Sequence, residues 1–153
     1  MPTFTTRTTL ACAPDAVFAF IVDLSKWPTF RGAGPVPGIV SAEATDGAPL
    51  AKGSRVRVTN TDGSVHHEVV VEFVHAQRYH VAMEVRPPAS SVLAGIEERV
   101  ELAPGPRGGT AMTRTFVLTP ASRLASPIAS IVSWFLGRAV RKHDEAVRVA
   151  LGG

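Results

Sequence analysis

Between positions 38 and 120 the chain alternates apolar and polar residues run after run, with no stretch long enough to hold a helix between them. No other feature constrains the fold as strongly. Period-two runs rich in Val, Thr and aromatic residues read as half-buried strands, and six fit here: 38–45, 54–61, 65–75, 78–86, 92–103 and 110–119. Turn chemistry separates them: Asp46-Gly47 with Lys52-Gly53, Asp62-Gly63, Ala76-Gln77, Pro87-Pro88, and Pro104-Gly105-Pro106 with Gly108-Gly109. Asp62-Gly63 is the clearest hairpin signal among them. A parallel crossover needs about a dozen residues, so connections this short make the sheet antiparallel.

The flanks add one strand and two helical regions. Phe4, Thr6, Thr8 and Leu10 alternate with Thr5, Arg7 and Thr9, a further strand. Pro14 and Asp15 suit the first turn of a short helix, on which Val17, Phe18, Ile21 and Val22 recur at helical spacing. Pro28 disfavours helix at Trp27, so Asp23-Leu24-Ser25-Lys26-Trp27-Pro28 closes it. A Gly- and Pro-rich loop follows over 31–38, read as a flexible connection or an entrance lid. After Pro120 the alternation stops, and 122–151 fits one long helix starting at Ser122, or near Ser126 because of Pro127. Ile128, Val132, Leu136, Ala139, His143, Val147 and Ala150 lie on one side of it, with Arg138, Arg141, Glu145 and Arg148 opposite.

Composition narrows the function. With 153 residues the chain is expected to be one domain over 1–153. Its 19% charged residues fall below the usual share of about 25%, so inward-facing surface is plentiful for the length. The net charge of +3 comes from scattered basic residues, without the dense stripe of a nucleic-acid binder; no nucleic-acid partner is expected. Cys12 is the only cysteine, which leaves no internal disulfide and no Cys-based zinc site. The N-terminus has no signal-peptide run, and the apolar stretch 128–136 is too short to span a membrane. The expectation is a soluble cytoplasmic protein without stable membrane insertion.

The order is a strand, a short helical pair, an antiparallel run and one long C-terminal helix. In that order, and in Ala13-Pro14-Asp15-Ala16-Val17-Phe18 leading into Asp23-Leu24-Ser25-Lys26-Trp27-Pro28, the chain resembles the START/SRPBCC superfamily. The likeness is nearest to its polyketide cyclase/dehydrase and lipid-transport branch. Lys52-Gly53-Ser54-Arg55, Glu101-Leu102-Ala103-Pro104 and Gly108-Gly109-Thr110 extend it over essentially the whole chain. The resemblance implies an α+β helix-grip fold: a curved seven-stranded antiparallel sheet wraps the C-terminal helix, and a cavity for hydrophobic ligands lies between them. Fold places such a site without assigning it a reaction.

Glu98 is the informative exception to the alternation. Ala94, Ile96, Val100 and Leu102 share one face of 92–103, Glu97, Arg99 and Glu101 the other, and Glu98 falls on the apolar side. Met112, Arg114, Phe116 and Leu118 form the matching face of 110–119. Pairing Leu102 with Thr110 across the turn sets Glu98 opposite Arg114, where a bidentate contact keeps an inward carboxylate ionised. The pair reads as a polar anchor, with Arg114 holding a ligand carboxylate, phenol or carbonyl, or as a structural ion pair near the sheet end. On the first reading Arg114→Leu abolishes ligand binding in a folded protein.

Pairing Phe73 with Tyr79 continues as Val71 with Val81 and Val69 with Met83, which turns Tyr79 and His67 inward. Tyr79 is then a hydrogen-bond donor or proton source, and His67 an acid/base group; for both, a core residue with a satisfied polar tip is the competing reading. His143 reads as structural. Trp134 marks a partner or membrane-surface contact, or covers the sheet edge. The histidines carry no metal-binding spacing, no cofactor motif occurs, and neither metal nor cofactor is expected.

The first functional expectation is a binding or carrier protein for a small hydrophobic molecule. Its cavity walls comprise Phe18, Val58, Val69, Val71, Val81, Met83, Ile96, Val100, Met112, Phe116, Val132, Leu136 and Ala139, with Glu98, Arg114, Tyr79 and His67 as polar groups. The alternatives are an aromatase/cyclase- or dehydratase-type enzyme, with Arg114, Tyr79 and Glu98 as catalytic candidates, and a protein-interaction module. A homodimer through a sheet edge or the Trp134 face fits any of these.

Overall fold

In a computed structural model, which describes residues 1–152, the alternating runs form one antiparallel sheet of seven strands. These are β1 (Thr3–Leu10), β2 (Ile39–Ala44), β3 (Arg55–Asn60), β4 (Val65–Val74), β5 (Arg78–Glu84), β6 (Leu93–Pro104) and β7 (Thr110–Pro120). Their spatial order is β1-β7-β6-β5-β4-β3-β2, so each strand from β2 to β7 pairs with its sequence neighbour. Only β1 crosses over, to close against β7. Helix α1 (Pro14–Ile21) follows β1, and the long helix α2 (Ser126–Ala150) runs along the inner face of the curved sheet.

Two apolar clusters make the core. One gathers Leu10, Val17, Phe18, Val70, Tyr79, Val81, Val100, Leu102, Met112 and Val147. The other joins Leu93, Phe116 and Leu118 of the sheet to Ala129, Leu136 and Val140 of α2. Pro127 sits in the first turn of α2, where its missing N–H has no intrahelical partner to lose. That selects the start near Ser126 over Ser122. The buried side of α2 is turned toward Ala129, Gly137, Val140 and Asp144, leaving Ile128 and Ala150 exposed.

Local structure departs from the sequence reading at three places. Pro28 does not end the helical region; α1 stops at Ile21, and Leu24–Thr29 forms a 3-10 turn with Pro28 inside. Asp23 caps this turn by accepting from the Ser25 N–H at 3.0 Å, and the Trp27 indole N–H donates to the Ile21 carbonyl at 3.0 Å. At the β6–β7 hairpin Leu102 faces Met112, not Thr110. Pro104 still pairs with Thr110 there, and Gly105 donates to the Gly109 carbonyl at 2.8 Å, so the connecting loop is shorter than supposed. The shift is by two residues, and every side chain keeps its face.

The third departure reverses a face. Phe73 does pair with Tyr79, but a bulge between Val70 and Glu72 adds one residue to β4, and Val70 then pairs with Val81 and Glu68 with Met83. Val70 and Glu68 are consequently buried, while Val71 is exposed. His67, Val69 and Val71 therefore leave the inner face on which the alternation had placed them. With Val69, Val70 and Val71 in a row, period two cannot show where the parity changes.

The 31–38 loop is a folded strap. Ala33 and Val36 exchange backbone hydrogen bonds at 2.9 Å each, and Gly38 N–H donates to Thr61 Oγ1 at 3.0 Å. Gly32 makes the turn with φ of +75°, and a Cβ there would stand 2.3 Å from the Val36 carbonyl oxygen. Gly32→Ala is expected to destabilise the protein by about 2 kcal/mol, from left-handed strain plus the backbone clash. Urea denaturation measures this; an unchanged midpoint would contradict the strap geometry.

Candidate functional site

Where the two clusters meet, the sheet, α2, the 3-10 turn and the strap surround a cavity of about 380 Å³. Its apolar lining includes Ile21, Trp27, Phe30, Val36, Met83, Ile96, Val100, Met112, Phe116 and Leu136. Tyr79, Glu98 and Arg114 line it as well. Phe18, Val58, Val81, Val132 and Ala139 do not reach it: Phe18, Val58, Val81 and Ala139 are buried in the core, and Val132 packs against the α2 cluster. His67, on the outer face, accepts a hydrogen bond from Arg86 at 3.1 Å.

Arg114 organises the polar part of the wall. Glu98 stands opposite Phe116, and Arg114 opposite Val100, so the pair meets diagonally across the β6–β7 ladder. Arg114 Nε donates to Glu98 Oε2 at 2.8 Å, and Nη2 donates to the same oxygen. Nη1 donates to Asp144 Oδ1 at 2.7 Å and to His143 Nδ1 at 2.9 Å, both on α2. The guanidinium also lies 5.5 Å from the Phe116 ring centroid. One cation thus ties sheet to helix, held by two carboxylates. Burial works against the Arg114 charge, but Glu98 and Asp144 outweigh it and keep its pKa above the ordinary value. Burial also pushes Glu98 up, against the pull of Arg114, and Glu68 and Asp144 add to the rise.

The contacts of His143 define its tautomer. Nδ1 accepts from Arg114, so the proton sits on Nε2 and is donated to Thr29 Oγ1 at 2.9 Å. Thr29 in turn donates to the Lys26 carbonyl at 2.7 Å. Burial, reinforced by the Arg114 charge, lowers the His143 pKa to about 3. An unfolded histidine titrates near 6.5. The folded state therefore refuses a proton that the unfolded state accepts, and this contribution to stability is lost as pH falls from about 6.5 toward 3. By pH 5 the loss reaches about 2 kcal/mol relative to neutral pH. Urea denaturation at pH 7.5 and 5.0 is expected to show that component in the wild type and not in His143→Gln. An equal pH dependence in both would contradict it.

A second polar group comes from β4. Asn60 Nδ2 donates to His66 Nδ1 at 2.9 Å, and His66 Nε2 donates to Glu68 Oε2 at 2.9 Å. Glu68 is buried and lines the cavity with His66 and Asn60. Tyr79, 2% exposed, has a hydroxyl without a hydrogen-bond partner among the described residues. Burial raises its pKa well above the usual phenol range, and the Glu68 and Glu98 charges reinforce the effect. Among the described residues, no group of three or more His, Cys, Asp or Glu is placed to hold a metal ion.

Sequence reasoning brought Glu98, Arg114 and Tyr79 to one wall and missed Asp144, Glu68, His66 and Thr29. Glu68 and His66 were hidden by the β4 bulge. Asp144 lies in the charged run Arg141-Lys142-His143-Asp144-Glu145, where a buried acid looks like a solvated one. Its one available signal was its place beside the apolar stripe, next to the already inward His143.

The family model described as polyketide cyclase/dehydrase and lipid transport matches residues 1–148. The chain belongs to that family. No curated protein matches this family member by sequence. Solved structures share its fold at low identity. The crystal structure of Ara h 8.0201 has a TM-score of 0.69 at 17% identity, covering 95% of this chain and 97% of that one. A START superfamily protein from Mycobacterium smegmatis has a TM-score of 0.70 at 13% identity, covering 97% and 96%. The di-domain ARO/CYC StfQ from the steffimycin biosynthetic pathway has a TM-score of 0.72 at 16% identity; the match covers 97% of this chain and 50% of StfQ. The helix-grip architecture, with its sheet curved around α2, is common to all of them. Among the described residues, no helix of this family member is long and apolar enough to cross a membrane. Trp134 stays on the exposed side of α2, with the Arg138 guanidinium 5.1 Å from its ring centroid.

Proposed function

We propose that this protein binds or carries a small hydrophobic molecule, of lipid, polyketide or aromatic type, in the cavity between sheet and α2. One observation carries the reading: a space of about 380 Å³ walled by aliphatic and aromatic side chains, with a few convergent polar groups on one side. Ligand sites have this composition, and packed cores leave few voids larger than a water molecule. The whole chain acts as one binding domain, and the cytoplasm is its proposed location.

The same wall offers little to a cyclase. His143 has both ring nitrogens engaged, and Tyr79 is held protonated, so neither is a ready base. Arg114 serves the site by holding Glu98 and Asp144 in place. Titration with N-phenyl-1-naphthylamine, a neutral probe that brightens in apolar surroundings, tests the reading. A saturable, one-site rise with a blue shift is expected; a linear, unsaturable response would overturn it.

A further inference from the structure

The buried polar part of the cavity wall is acidic, and its acceptors are only half used. His66 donates to Oε2 of Glu68, and Arg114 donates to Oε2 of Glu98. Each carboxylate is thus held through one oxygen, leaving its Oε1 to accept from something else. Tyr79 adds, on the same wall, a buried hydroxyl with no partner among the described residues.

The cations are already committed or peripheral. Nε, Nη1 and Nη2 of Arg114 donate to Glu98, Asp144 and His143. Lys26 and Arg86 also line the cavity but are exposed residues, and Arg86 donates to His67. A ligand carboxylate placed against this wall would face Glu68 and Glu98 with the one buried guanidinium already engaged, and an unpaired buried charge is strongly disfavoured. A hydroxyl or ammonium would find acceptors instead.

Resting on the ligand-binding reading above, we propose that the cavity selects hydrophobic molecules bearing a hydrogen-bond donor (a phenol, an alcohol or an amine) and excludes free carboxylates. Glu68 Oε1 and Glu98 Oε1 take the donor. The sequence reading had Arg114 hold a ligand carboxylate, phenol or carbonyl, or form a structural ion pair; here the ligand's polar group is taken by the acids instead.

Three probes with one ring system separate the cases: 2-naphthol, naphthalen-2-ylmethanamine and 2-naphthoate, each titrated by calorimetry at pH 7.5. Naphthol or the amine is expected to bind at least tenfold more tightly than naphthoate, and the stronger of the two identifies which donor the wall prefers. Glu68→Gln removes one charge while its amide oxygen can still accept from His66. It is expected to raise naphthoate affinity at least fivefold, with the fold checked by circular dichroism. Naphthoate binding as tightly as the other two, or unmoved by Glu68→Gln, would overturn the donor preference and leave the cavity reading standing. Binding by none of the three would overturn both.

Discussion

Arg114→Met is expected to destabilise the protein by about 3–5 kcal/mol at pH 7.5, the usual effect of stripping the partner from buried charges. The residue is 7% exposed and is the shared counter-ion of Glu98 and Asp144, so its loss leaves two buried carboxylates without it. The pH dependence has a definite sign. Burial already raises the Glu98 pKa, and losing Arg114 removes the pull that opposes the rise, so the penalty is full above the folded value and is lost as pH falls through it. The gap between variant and wild type should therefore narrow from pH 7.5 to pH 5.0 in urea denaturation. A loss below about 1 kcal/mol at pH 7.5 would mean that the pair is worth no more than a surface ion pair. A large loss would also mean that binding by Arg114→Leu has to be read together with its stability, because Arg114 ties β7 to α2.

Met83→Trp is expected to lower affinity for N-phenyl-1-naphthylamine at least tenfold while changing stability by less than about 1 kcal/mol. Met83 lies on β5 between Glu68 and Ile96 and faces the cavity. In a filled core such an enlargement costs typically 1–3 kcal/mol by overpacking. Here the indole has empty space to enter, and filling it removes the room for a ligand. The two readouts separate the alternatives: a large loss of stability with no change in probe binding would mean that the space is closed core.

The period-two runs and the turns between them made the antiparallel sheet legible, because a strand buried on one face must alternate and short loops must fold back. Glu98 was legible for the same reason, as a charge on an otherwise apolar face. A two-residue error in the β6–β7 register did no harm, since it preserved that face and left Arg114 within diagonal reach. The one-residue bulge in β4 did harm, because odd shifts invert every later side chain. It sent His67 outward and brought Glu68 and His66 in, and the Val69-Val70-Val71 run concealed it. Asp144 was illegible because its burial depends on a partner thirty residues away in sequence, Arg114, and no local pattern on α2 reports that contact.

Native mass spectrometry of freshly purified protein, before and after incubation with a cell lipid extract and with 2-naphthol, tests the proposed ligand cavity most directly. The prediction is a population heavier than the 16.2 kDa chain by the mass of one small apolar molecule, absent from Met83→Trp. Protein found only at its chain mass under every one of these conditions, or an adduct equally abundant in Met83→Trp, would contradict it.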